Sequence, residues 1–186
     1  MVKIAYILLC HKAPDAVIEQ AQRLTAAGDC VAIHFDRNAP KGDFARIKGA
    51  LAANANVAFA KKRVRCGWGQ WSLVQATLHA VQAALEQFPR ATHFYMLSGD
   101  CMPIKSAEHT HAFLEENDLD FIECFDFFKG DWIKTGMKED RLIYRHFFNE
   151  RKRKRLFYAS LNVQRYLGLK RDIPHDLQMC IGSQWW

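Results

Sequence analysis

The 186-residue chain has six cysteines and no C-x-x-C pair among them, which removes the zinc-ribbon and thiol-redox readings. No apolar run approaches the roughly 18 residues that a membrane-crossing helix needs, so none is expected. Met1-Val2-Lys3 leads straight into an apolar strand-length run without a small-residue cleavage site, so a signal peptide is not expected either. No G-x-S-x-G elbow occurs, which disfavours an α/β-hydrolase. The histidines lack H-E-x-x-H or comparable spacing, which disfavours zinc. Gly67-Trp68-Gly69 has no third glycine and the first apolar run carries no glycine-rich fingerprint, so NAD binding is disfavoured as well. There is no internal repeat and no low-complexity linker. Cys10, Cys30, Cys66, Cys101, Cys124 and Cys180 lie far apart and read as reduced, mostly buried thiols of a cytoplasmic protein.

What is present is an ordinary globular composition, 49% hydrophobic and 25% charged, in a length that suits one domain. The net charge of +6 is unevenly spread. Between Lys138 and Arg171 eleven Lys and Arg face only Glu139, Asp140 and Glu150, a local +8 that leaves −2 for the rest. Such a window suits phosphates, an anionic membrane face touched through Arg151 to Arg155, or nucleic acid, and equally a solvated surface. Its aromatics (Tyr144, Phe147, Phe148, Phe157, Tyr158) do not form an RNA-binding strand pattern, so no nucleic-acid partner is expected.

Apolar strand-length runs alternate with helical patterns along the chain. Strands are expected at 4–10, 30–35, 57–60, 92–96 and 120–125, and helices at 13–26, 43–54, 71–88 and 107–116. Trp71, Val74, Leu78, Val81, Leu85 and Phe88 recur three and four residues apart, and this stripe, Trp71 included, is expected to face the core. The alternation implies an α/β fold: a mostly parallel sheet with helices on both faces. The apolar ending at Trp185-Trp186 suggests a chain that stops inside a structural element.

In open α/β sheets, ligands bind beyond the strands' carboxyl ends. Two segments fall there: Ser98-Gly99-Asp100, after the fourth apolar run, and Asp36, which closes Ile33-His34-Phe35. The small residues would admit a ligand close to the backbone, and the carboxylates would accept hydrogen bonds from a base or ribose. Each is also an ordinary turn or cap former. His11 would orient the turn after the first strand or touch substrate. Trp68, between two glycines and off the helical stripe, could flank a ligand. Asp118-Leu119-Asp120 has the form of a nucleotide-metal motif but precedes a strand instead of following one, so no metal is expected there.

Taken in order, Ile7-Leu8-Leu9-Cys10-His11-Lys12, Ile33-His34-Phe35-Asp36, Gly67-Trp68-Gly69-Gln70-Trp71-Ser72-Leu73-Val74 and Leu97-Ser98-Gly99-Asp100-Cys101-Met102-Pro103-Ile104 resemble the Core-2/I-branching glycosyltransferases. Toward the end of the chain, Arg155-Leu156-Phe157, Leu167-Gly168, Arg171, Ile173-Pro174 and Gly182-Ser183-Gln184-Trp185 are similar to the peptide O-xylosyltransferase branch.

The resemblance implies a GT-A fold over residues 1–186, and inverting transfer of xylose or N-acetylglucosamine from a UDP-sugar to a hydroxyl of a glycan or peptide. It implies no metal and no further cofactor. Asp36 would bind the uracil or ribose, Lys62 and Arg63 would lie beside the nucleotide, and Gln184 and Trp185 would contact the donor sugar. The family usually carries an acidic residue where this chain has Gln184. Glu123 and Arg141 would face the acceptor. The family's catalytic glutamate and the cations at the departing diphosphate fall beyond Trp186, so this chain is expected to hold the donor-binding part of the domain. It is expected in the cytoplasm or peripherally on a membrane.

Overall fold

The computed structural model describes residues 1–117, 119–122, 125–126, 140–174 and 180–181. The chain divides into two compact units, one comprising residues 1–121 together with 184–186, and the other residues 122–183.

The first unit runs β1 (Ile4–Cys10), α1 (Pro14–Thr25), β2 (Cys30–Phe35), α2 (Lys41–Ala50), β3 (Val57–Phe59), α3 (Trp71–Gln87), β4 (His93–Ser98) and α4 (Ala107–Glu116). The four strands form a parallel sheet in the order β3-β2-β1-β4. β1 and β2 are central and buried on both faces, so their near-continuous apolar runs match what a covered parallel sheet demands. One face packs Val17, Ala21 and Leu24 of α1, Ile47 of α2 and Leu114 of α4 against Ile4, Leu8, Val31 and Ile33. The other packs Ala80, Ala84 and Phe88 against Ala5, Ile7, Cys30 and Ala32. Helices therefore cover both faces, as the alternation of runs predicts.

Two expectations are corrected. The residues that α3 buries are Ala76, Thr77, Ala80, Ala83 and Ala84. Trp71 is 65% exposed, and Leu78 and Leu85 are exposed with it. The physical reason is proximity: a row of alanines lets the helix backbone settle close to the sheet, and the larger residues are displaced to the flank, where only Val81 and the terminal Phe88 still reach the core. The strand expected at 120–125 does not form as drawn. Residues 119–122 are irregular, and the only strand nearby among the described residues is the two-residue β5 (Phe125–Asp126).

β5 belongs to the second unit, where it pairs antiparallel with β6 (Cys180–Ile181). The same unit holds α5 (Asp140–Ile143) and α6 (Lys154–Tyr166). Tyr144, Phe157 and Leu161 form its small core. The Gln164 side chain donates to Arg145 O and accepts from Arg145 N at 2.9 and 3.0 Å, tying α6 to the segment after α5. Among the described residues no helix is long and apolar enough to cross a membrane.

Candidate functional site: the carboxyl ends of the parallel strands

β1 stands between β2 and β4, so the connections leaving β1 and arriving at β4 run to opposite sides. That makes the β1/β4 boundary the topological switch point, where an open α/β sheet leaves a crevice. His11 and Lys12 follow β1, Ser98 ends β4, and Gly99 and Asp100 come next. The structure thus brings His11 and the Ser98-Gly99-Asp100 turn to one place. Lys12 Nζ reaches Asp100 Oδ2 at 3.1 Å across the boundary, with both side chains more than half exposed.

The turn is held from beneath. Gly99 N donates to Leu9 O at 3.0 Å. A Cβ on Gly99 would stand 2.8 Å from the Cys10 Cβ, so this glycine admits the neighbouring strand where sequence reasoning had expected it to admit a ligand. Ser98 Oγ accepts Asp100 N at 3.2 Å and lies 3.1 Å from Cys101 Sγ. From α1, the Gln20 amide donates to Ser98 O at 3.1 Å and to Cys101 O. Sequence reasoning missed Gln20. Its signal was a polar residue at a core position, three after Val17 and four before Leu24, and it is 1% exposed. Ala13, between Lys12 and α1, adopts φ 51°, a strained value for a residue with a Cβ, at the edge of the same crevice.

Asp36 is tied to the crevice through its backbone, Asp36 N donating to Cys10 O at 2.8 Å. Its Oδ1 accepts Asn38 N at 2.7 Å and Cys66 N at 3.2 Å, so the carboxylate shapes its own turn and anchors the loop that follows β3. That loop is also fixed by His34, whose Nε2 accepts Val64 N at 2.9 Å. Burial pushes the His34 pKa down to about 4, which keeps the ring neutral and able to accept. Arg63 donates from Nε to Phe35 O at 2.8 Å and from Nη2 to Asp36 O at 2.7 Å, and its guanidinium lies 4.2 Å from the Phe44 ring centroid. Much of its donor capacity is therefore spent on the chain itself. Lys62 beside it is exposed.

Trp68 is 66% exposed in the loop before α3. Burial raises the Cys10 thiol to about 12, and burial with the neighbouring Asp36 carboxylate raises Cys66 to about 11, so neither is a thiolate nucleophile at neutral pH. Cys10 and Cys30 are buried as expected, whereas Cys101 is exposed. In the second unit, Arg141 is an exposed residue of α5, and residues 151–155 are exposed where α6 begins. Glu123, Gln184 and Trp185 lie outside the described residues, as does Asp118 of the Asp118-Leu119-Asp120 segment. Among the described residues no three His, Cys, Asp or Glu side chains gather as a metal site would require.

The arrangement offers a carboxylate and a cation at the switch point, a second carboxylate on the adjacent strand end and a rigid loop beyond it. These groups can hold a polar small molecule that donates hydrogen bonds to the carboxylates over the strand ends. The human protein beta-1,3-galactosyl-O-glycosyl-glycoprotein beta-1,6-N-acetylglucosaminyltransferase 3 is 27% identical to this chain over 103 residues, which cover 55% of the chain and 24% of the relative. The matched segment thus spans about a quarter of that relative's length. The model of the Core-2/I-Branching enzyme family matches residues 4–186, covering both the strand-end crevice and the second unit, and the chain belongs to the Core-2/I-branching enzyme family.

Proposed function

We propose that this chain is the donor-binding part of an inverting glycosyltransferase that moves a sugar from a UDP-sugar to an acceptor hydroxyl. The observation that carries the reading is the family match over residues 4–186, together with a crevice in which Lys12 and Asp100 meet at the switch point of a parallel sheet. N-acetylglucosamine is the first donor to test, because the human relative is named for its transfer. Xylose is the second, from the similarity of the later segments to the peptide O-xylosyltransferases.

In this reading Asp36 accepts hydrogen bonds from the uracil or ribose. Ser98, Gly99 and Asp100 form the floor of the crevice, with His11 and Lys12 on its rim. Lys62 and Arg63 flank the nucleotide, Trp68 borders it, and Gln184 and Trp185 contact the sugar. Glu123 and Arg141 serve the acceptor, a glycan or peptide. The exposed cations from Arg151 to Arg155 support contact with an anionic membrane face.

The chemistry asks for a general base at the acceptor hydroxyl and for charge stabilisation at the departing diphosphate. The deciding experiment is calorimetry with UDP, UDP-N-acetylglucosamine and UDP-xylose, followed by a UDP-release assay with the tighter donor. Binding of the UDP-sugars in preference to ADP-glucose is the expected result. Absence of any UDP binding would overturn the reading.

A further inference from the structure

A groove of about 530 Å³ opens between α2 and the end of β3, lined by Arg37, Phe44, Lys48, Phe59, Ala60 and residues 61–63. Five of its lining residues are cations, and they are not equivalent. Arg63 is held on Phe35 O and Asp36 O, and Lys61 pairs with Glu86 at 2.6 Å. Arg37, Lys48 and Lys62 have no carboxylate partner among the described residues. Lys48 Nζ stands 5.9 Å from the centroids of both Phe44 and Phe59, which holds its charge against the aromatic wall.

Cations that line one concavity without a carboxylate partner leave it positively charged, and a bound anion offsets that charge. The volume is larger than a lone phosphate needs and falls in the range of small-molecule sites. Phe44 and Phe59 are half-buried and meet edge to face at 5.9 Å; with the Arg63 guanidinium 4.2 Å from the Phe44 centroid, the apolar surface left for the C–H face of a sugar ring is that of Phe59.

We propose that this groove binds an anionic sugar, one bearing a phosphate or sulfate ester, with Arg37 and Lys48 around the ester and Phe59 against the ring. The inference goes beyond the donor reading. The donor reading uses Asp36, Asp100, Lys12, Lys62 and Arg63, whereas Arg37, Lys48 and Phe59 have no part in it. A second anionic subsite of this kind would let the protein choose an acidic saccharide over its neutral counterpart.

The test is calorimetry on the whole chain with glucose 6-phosphate, glucose 6-sulfate, inorganic phosphate and glucose, with and without saturating UDP. Both esters are expected to bind more tightly than inorganic phosphate or glucose, and UDP is expected to leave them bound. Arg37→Ala with Lys48→Met should weaken both esters by about tenfold or more, the scale of lost charge-assisted contacts, with UDP affinity unchanged. Lys48→Arg should retain binding. Should the double variant lose its folded far-UV signal, Lys48→Gln alone is expected to weaken the esters several-fold. Ester binding that survives Arg37→Ala with Lys48→Met or, in its place, Lys48→Gln, that inorganic phosphate matches, or that UDP displaces overturns the proposal. Displacement by UDP would leave the donor reading standing, and failure of UDP to bind would leave this one standing.

Discussion

The imidazole of His34 accepts the backbone N–H of Val64 through Nε2 at 2.9 Å, from the next-to-last position of an otherwise apolar central strand. Burial, opposed by Asp36 and reinforced by His79 and Arg63, lowers its pKa to about 4. The folded protein therefore refuses a proton that the unfolded chain takes up at about 6.5. Stability from this group is complete above about pH 6.5, falls as pH drops through the window, and levels off below about 4, a loss of roughly 3 kcal/mol. Urea titrations from pH 7.5 to 4 should show this slope, and His34→Gln should flatten it. A variant with the same slope as the parent would assign the effect elsewhere.

Gly99 leaves no room for a side chain. An added Cβ would lie 2.8 Å from Cys10 Cβ and 3.5 Å from Val17 Cγ2, both in the packed interior. Gly99→Ala is expected to cost about 1–3 kcal/mol, the usual range for overpacking, read as a lowered melting temperature. A variant as stable as the parent would show that the turn shifts freely, contrary to its pinning by Gln20.

On α3, the effects of substitution should reverse the order that residue size suggests. Trp71→Ala removes an exposed ring and should change stability by about 0.5 kcal/mol or less. Ala80→Leu forces a larger side chain between helix and sheet and should cost several times more. Chemical denaturation of the two variants provides the comparison. Equal effects would mean that the alanine face is not in close contact.

Asp36→Asn separates the turn from the charge. The amide oxygen still accepts from Asn38 N and Cys66 N, so the melting temperature should hold. UDP affinity, measured by calorimetry, should fall by at least about 1 kcal/mol through loss of a charge-assisted hydrogen bond. Unchanged affinity would remove Asp36 from the donor site.

EDTA is expected to leave UDP affinity unaltered, because the only D-x-D segment, Asp118-Leu119-Asp120, does not follow a strand of the sheet as a nucleotide-metal motif would. The check is a UDP titration before and after chelation and again with added manganese. Affinity that collapses with EDTA and returns with manganese would make Asp100 a candidate ligand.

The parallel sheet was legible in the sequence because its central strands are covered on both faces, and double burial requires the continuous apolar runs at 4–10 and 30–35. Helix α4 was legible at both ends, with Ser106 capping its first turn. The position of Ser98, Gly99 and Asp100 at a strand's carboxyl end followed from the same reading. What remained for tertiary structure was set by proximity, which spacing does not encode. The orientation of α3 depends on how closely alanines let a helix approach a sheet, and periodicity weighted by residue size points to the opposite flank. The roles of Gln20, His34 and Gly99 come from partners 78, 30 and 89 positions away in sequence. The groove of Arg37, Lys48 and Lys62 exists only because α2 and the end of β3 converge in space. The sequence alone determined which segments form the four strands of the parallel sheet and which end of that sheet carries polar chemistry, since local apolar patterning sets both. Which side chains are spent on holding the chain, and which remain for a ligand, was decided by folding, because hydrogen bonds and close packing join residues distant in sequence.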